Sequence, residues 1–200
     1  MYFGAKYTYQ KDMLCTGITR RFLRVTKVYT GMSCMERALG TYTSKVTWED
    51  VRKEATTMVE QDPFIADLVQ KSLLDHSTFG AAIAHNLAHQ FADLIGADKW
   101  EQLFLTAYNE RVPYHYGMGT AEDMGLLDLV ATNERDPASD GLVNPFLYFK
   151  GYKALQCHRV AHVLWNSNRK NAARAIQSRC SELYGVDIHP AAVIGKCYSV

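Results

Sequence analysis

From Thr47 onward the chain is written in helical steps. Val51, Ala55, Met58 and Val59 fall on one face of a helix that the Thr47 hydroxyl is placed to cap, with Glu49 and Asp50 at its positive end. Asp62-Pro63 predicts a second start, since Asp can cap and Pro loses nothing at a first-turn position. Ser77 or Thr78 caps a third helix, in which Phe79, Ile83, Leu87, Phe91, Leu94 and Ile95 form an apolar stripe ended by Gly96. A short helix follows from Asp98 to Glu110. The turn-rich stretch RVPYHYGMGT, residues 111–120, reads as a loop, and another helix runs from Ala121 towards Thr132. Asn144-Pro145 opens a long helix through Trp165, on which Ala154, Cys157, Ala161, Leu164 and Trp165 share a face. A last helix, Lys170 to Tyr184, stops at Gly185. Residues 47–185 therefore predict an all-helical bundle.

After Gly185 the period changes. Ile188, Ile194 and Val200 recur every six residues, and Asp187 and His189 alternate with Val186 and Ile188 as on an extended strand. A six-residue apolar period is the signature of a parallel β-helix, in which each hexad supplies one flat side of a triangular coil. Residues 186–200 read as an incomplete first coil. Such coils are stable by stacking, so the fragment is expected to have no stability of its own.

Composition divides the chain at the same place that periodicity begins. Residues 1–46 hold eight Lys or Arg against Asp12 and Glu36, whereas residues 47–200 hold fourteen basic and nineteen acidic side chains. The leader has no sustained period. It reads as a mitochondrial transit segment or a plain disordered extension, and translation starting at Met32 or Met35 is a third reading. A net charge of +1 gives no reason to expect nucleic acid or a membrane surface as partner, and no apolar run is long enough to span a bilayer. Five cysteines without C-x-x-C spacing fit a reducing compartment, so the expected location is the cytoplasm, or the mitochondrion if the leader is a transit peptide.

Candidate chemistry is sparse. His85 with His89 and His158 with His162 are H-x-x-x-H pairs, but no glutamate accompanies either in sequence, so both are read as structural histidines and no metal ligand is assigned. A helical metal-binding protein remains the less favoured reading. Neither G-x-S-x-G nor a phosphate-binding glycine loop is present. Two acidic stretches are left. In RDPASD, Arg135, Asp136 and Asp140 bracket a Pro-containing turn, where Asp136 is either a turn opener or a binding carboxylate. In VDIHP, Asp187 and His189 point the same way, as a site or as the outward face of a strand.

TWEDVRKEA, the stretch from DPASD to AIQSR, and YGVDIHPAAVIG together resemble serine O-acetyltransferase, from about Thr47 to Lys196. The resemblance implies a mainly α chain: the family's N-terminal helical domain, ending in the start of a truncated left-handed parallel β-helix. It implies transfer of an acetyl group from acetyl-CoA, a co-substrate rather than a bound cofactor, to the hydroxyl of L-serine in cysteine biosynthesis. In the family a histidine acts as general base. Asp187 falls on the aspartate that orients that histidine, Asp136 on the R-D-P aspartate that helps hold the substrate serine, and His189 on a neighbouring structural histidine. The family's catalytic histidine lies in an L-D-H-A-T-G motif that these 200 residues do not contain, and the acetyl-CoA groove between coils is missing too. The chain alone is therefore expected to be inactive. Homo-oligomers through the helical domain, hexamers in the family, are implied as well, and a non-catalytic module that pairs with full-length subunits is the alternative function.

Overall fold

The computed structural model describes residues 46–114 and 117–195. Its first helix, α1 (Trp48–Gln61), begins on the expected cap. The Thr47 hydroxyl accepts from Asp50 N while the Asp50 carboxylate accepts from Thr47 N, a reciprocal capping box. At Asp62-Pro63 the carboxylate takes the Phe64 amide, 3.1 Å away. The helical run that follows is uneven: a 3₁₀ turn (Pro63–Ile65), then α2 (Ala66–Val69), then a π-helical turn (Gln70–Leu74).

Helix α3 (Phe79–Phe91) is capped by Thr78 and carries Phe79, Ile83, Leu87 and Phe91 inward. It stops five residues before the expected Gly96. Ala92 leaves the helical region, and Leu94 and Ile95 stand 99% and 40% exposed in the connection. The reason lies in α4 (Ala97–Asn109), which returns along α3 and brings Trp100 and Phe104 edge-on to Phe91 at 5.3 Å. Continuing α3 to Gly96 would forfeit that aromatic contact.

Residues 111–120 are not a loop but an antiparallel ribbon of β1 (Arg111–Tyr114) and β2 (Gly117–Thr120), with Arg111 opposite Thr120 and Tyr114 opposite Gly117. Both strands of a two-stranded ribbon are edges, so Pro113 breaks no central ladder. A second capping box, Thr120 with Asp123, starts α5 (Ala121–Arg135). Gly125 on α5 is where three elements meet: a Cβ there would lie 2.4 Å from the Phe79 ring and 2.8 Å from Gln156 Oε1.

The expected long helix from Asn144 is two helices, α6 (Val143–Tyr148) and α7 (Lys150–Asn166), separated at Phe149, whose ψ is 114°. Asn144 is not the cap. Glu54, reaching across from α1, accepts from Leu142 N and Val143 N at 3.0 and 2.8 Å, and Gly141, at φ +91°, passes so close that a Cβ would meet that carboxylate at 2.4 Å. At the other end of α6, the Lys153 ammonium donates to Leu147 O at 2.7 Å. Burial holds its pKa below the usual lysine range.

Helix α8 (Lys170–Tyr184) packs along α7 and ends at Gly185, φ +74°, as expected. Most of α7 is buried, Tyr152 to Ala161 without interruption, so it is the central rod of the body. Beyond Gly185 the chain leaves helical structure, with a bridge at Asp187 and a turn at residues 190–191, where Ala192 N donates to His189 O. Ile188 and Ile194 both bury against Leu155 of α7. Val200 and Cys197, like Cys15, Cys34 and residues 1–45 of the basic leader, lie outside the described residues.

Candidate functional site

The two predicted carboxylates occupy different corners. Asp136 closes α5: its Oδ1 accepts from Ala138 N at 2.9 Å and its carbonyl from Ser139 N at 3.0 Å, so it nucleates the turn that leads to α6. Asp187 sits on the extended segment, half-buried, with Oδ1 held by Gln177 Nε2 of α8 at 2.6 Å. No hydrogen bond or ion pair joins the two among the described residues. His189 presents its ring edge to Trp165 at 4.9 Å and accepts Ala191 N at Nδ1, which places it in the bend itself.

Just beyond Asp187, a polar network on α7 grips the backbone of residues 190–195. Arg159 is 1% exposed and its partner Asp128, on α5, is fully buried. The guanidinium donates through Nε to Asp128 Oδ2 and through Nη2 to Oδ1, both at 3.0 Å, a two-point contact only an arginine can make. Its remaining donors leave the helical body: Nη1 reaches Ile194 O and Nη2 reaches Gly195 O, each at 2.6 Å. Gln156 Nε2 adds a third contact to Asp128 Oδ2 at 3.3 Å.

At the residue before Arg159 and three residues after it, histidines grip the bend. His158 donates from Nε2 to Ala192 O at 3.1 Å, and His162 from Nδ1 to Pro190 O at 2.8 Å. Carbonyls only accept, so both tautomers are fixed: His162 Nε2 is left to accept from Asn166 Nδ2 at 3.0 Å, and His158 Nδ1 bears a lone pair that finds no partner among the described residues. A cavity of about 10 Å³, lined by His158, Cys157, Gln177 and Ile188 among others, borders it and is about the space one water needs. Burial, with Arg159 and His162 adding repulsion, pushes the His158 pKa down to about 3 against a weaker opposing pull from the Ala192 carbonyl.

Cys157 and Cys180 are free thiols buried nearby, and burial raises the Cys157 pKa well above its ordinary value. Neither is exposed as a reactive thiol is, and the raised pKa of Cys157 disfavours its thiolate. The other histidine pair is different. The sequence shows no glutamate beside His85 and His89, yet the fold supplies one, Glu101 of α4, whose Oε2 lies 3.3 Å from His85 Nδ1.

Sequence reasoning missed Arg159 and Asp128. The signal was there: each is a lone charge inside an apolar run, QCHRVAHVLW and GLLDLVAT, where a solvated face has no room for it. Neither run says which opposite charge it meets.

A family profile described as "Serine acetyltransferase, N-terminal" matches residues 47–157. The serine acetyltransferase of Haemophilus influenzae is 34% identical over 149 residues, covering 74% of this chain and 53% of that protein. A solved serine acetyltransferase in complex with CoA superposes with a TM-score of 0.67 at 34% identity, over 75% of this chain and 62% of that one. Soybean serine acetyltransferase complexed with serine gives 0.67 at 33% identity, over 75% and 59%. The chain spans about half the length of the curated relatives it matches.

Proposed function

The chain belongs to the serine acetyltransferase family, and from that premise we propose that residues 47–185 are the helical domain of an enzyme that moves an acetyl group from acetyl-CoA to the hydroxyl of L-serine. The extended segment from Val186 is then the opening of a left-handed β-helix. The observation that carries this reading is the grip of α7 on that opening. Arg159, His158 and His162 together hold four carbonyls between Pro190 and Gly195. An enzyme whose helical domain must set the register of a coil needs that junction; a free-standing helical bundle does not.

In the proposed reaction the serine oxygen attacks the thioester carbonyl, its proton passes to a histidine, and CoA leaves as the thiolate, which then takes up the proton. No L-D-H-A-T-G motif occurs in these 200 residues, so the base is assigned to none of them. Asp187 orients the base. With Oδ1 taken by Gln177, Oδ2 is the acceptor for an imidazole N–H and stabilises the imidazolium that forms. Asp136 uses Oδ1 in its own turn, which leaves Oδ2 for the substrate ammonium. These 200 residues by themselves are expected to show no turnover, because a general base that lies outside them contributes on the order of 10²- to 10⁴-fold.

A second reading rests on a different observation. Phe64 and Leu94 stand 92% and 99% exposed, as apolar contacts of an assembly surface would in a lone chain. Under it the helical domain is a non-catalytic module that joins full-length subunits into homo-oligomers. A chimera separates the two: residues 47–195 replace the matching region of the H. influenzae enzyme. The chimera is expected to acetylate L-serine, with Asp187→Asn lowering kcat by on the order of 10²- to 10⁴-fold and Asp136→Asn acting chiefly on the KM for serine. A chimera that assembles and turns over equally well with Asn at 187 contradicts the catalytic assignment and favours the module.

A further inference from the structure

We propose that His85, His89 and Glu101 form a divalent-metal site, of the kind that suits Zn²⁺, clamping α3 to α4. This is independent of the acetyl-transfer reading. One ring nitrogen of each histidine and one carboxylate oxygen of Glu101 lie within 4.8 Å of one another. Tetrahedral zinc with bonds of about 2.0–2.1 Å sets its ligand atoms roughly 3.3–3.5 Å apart, and the His85 Nδ1 to Glu101 Oε2 separation is already 3.3 Å. Only His89, exposed and free to choose its rotamer, has to close in.

The backbone supplies the geometry. His85 and His89 are four residues apart on one face of α3, and their ring centroids stand 4.3 Å apart. The connection of residues 92–96 folds α4 back beside α3, which brings Glu101 opposite them from the second turn of α4. His89 falls in the last turn of α3, where the helix end carries partial negative charge and favours a cation. His85 also packs against the His76 ring at 4.8 Å, which limits its swing. His76 Nε2 is committed to Lys71 O at 2.9 Å.

Two imidazoles and one carboxylate are the donor set of open zinc sites, with a fourth position left to water. The same three groups make a poor ion-pair cluster. A carboxylate with two imidazoles this close satisfies one of them, and protonating both sets like charges side by side, whereas one cation satisfies all three. The pair on α7 offers no such site, because His158 and His162 donate to Ala192 O and Pro190 O.

The test is a zinc titration of the chelator-stripped 200-residue chain, followed by calorimetry and by competition with a chromophoric chelator, beside His89→Ala and Glu101→Gln. One saturable Zn²⁺ per chain is expected, together with a melting temperature that rises on zinc addition. Each substitution should weaken uptake by at least the roughly 10- to 100-fold that losing even an outer-shell partner costs. Both positions are solvent-accessible, so metal-free melting of the variants should match the metal-free parent and exclude misfolding as the cause. Zinc uptake equal in parent and His89→Ala, as cysteines elsewhere would give, overturns the proposal. So does a parent chain that takes up no zinc at micromolar free ion.

Discussion

His158 can hold the Ala192 carbonyl only through a protonated Nε2, and its buried Nδ1, with no partner among the described residues, stays unprotonated. The folded chain therefore resists a proton that the unfolded chain accepts readily. Linkage fixes the sign: with the folded pKa pushed down to about 3 and the unfolded one near the ordinary ~6.5, the unfolded state binds more protons between these values. Stability is fully present above pH ~6.5 and falls as the solution is acidified towards pH 3. The slope approaches about 1.4 kcal/mol per pH unit for one proton. Chemical denaturation at pH 7, 6 and 5 should show this decline, and His158→Gln, which keeps a donor but does not titrate, should flatten it. An unchanged slope in that variant would mean that His158 titrates normally. The sequence marked His158 as one of a pair, but a pair on a helix looks the same whether its rings face a metal or a carbonyl. Only the packing of residues 190–194 against α7 decides.

Helix starts were more legible than helix ends, because a start is chemistry and an end is often packing. Thr47, Asp62 and Thr78 cap as their side chains dictate. The stripe through Leu94 and Ile95 misled, since a periodic pattern does not reveal that Phe91 must face Trp100 and Phe104 across a five-residue connection. Asn144-Pro145 misled for a related reason: the start of α6 is capped by Glu54 from 88 residues earlier, a partner that no local window contains. Glu54→Gln keeps one acceptor oxygen and loses the charge and the second bond. It should destabilise the domain by about 1–2 kcal/mol, read from denaturant midpoints at constant m. No change would mean that the start of α6 is held by Pro145 and Phe146 packing instead.

Taken together, the body of 47–184 has a contiguous core of its own, while the segment after Gly185 buries only Ile188, Pro190 and Ile194 among its described residues and borrows its remaining order from α7 and α8. The hexad spacing told where that segment changes character but not what holds it. The holding residues are polar and lie on a helix whose apolar face drew attention first. Arg159 is central because it serves both sides at once, pairing with Asp128 within the body and donating to two carbonyls outside it. Removing one member of that pair costs about 3–5 kcal/mol and confuses the two roles, whereas replacing both by apolar residues is often nearly neutral for a folded body. The double variant Asp128→Leu/Arg159→Leu therefore separates them. The decisive measurement is amide hydrogen exchange of residues 186–195 in that variant and the parent, with peptides of α3 and α4 as internal reference. Losing two charge-assisted hydrogen bonds of about 1.5–3 kcal/mol each should speed exchange in 186–195 by at least about tenfold while α3 and α4 exchange as before. Unchanged protection of 186–195 in a folded double variant would contradict the claim that α7 sets the opening of the coil.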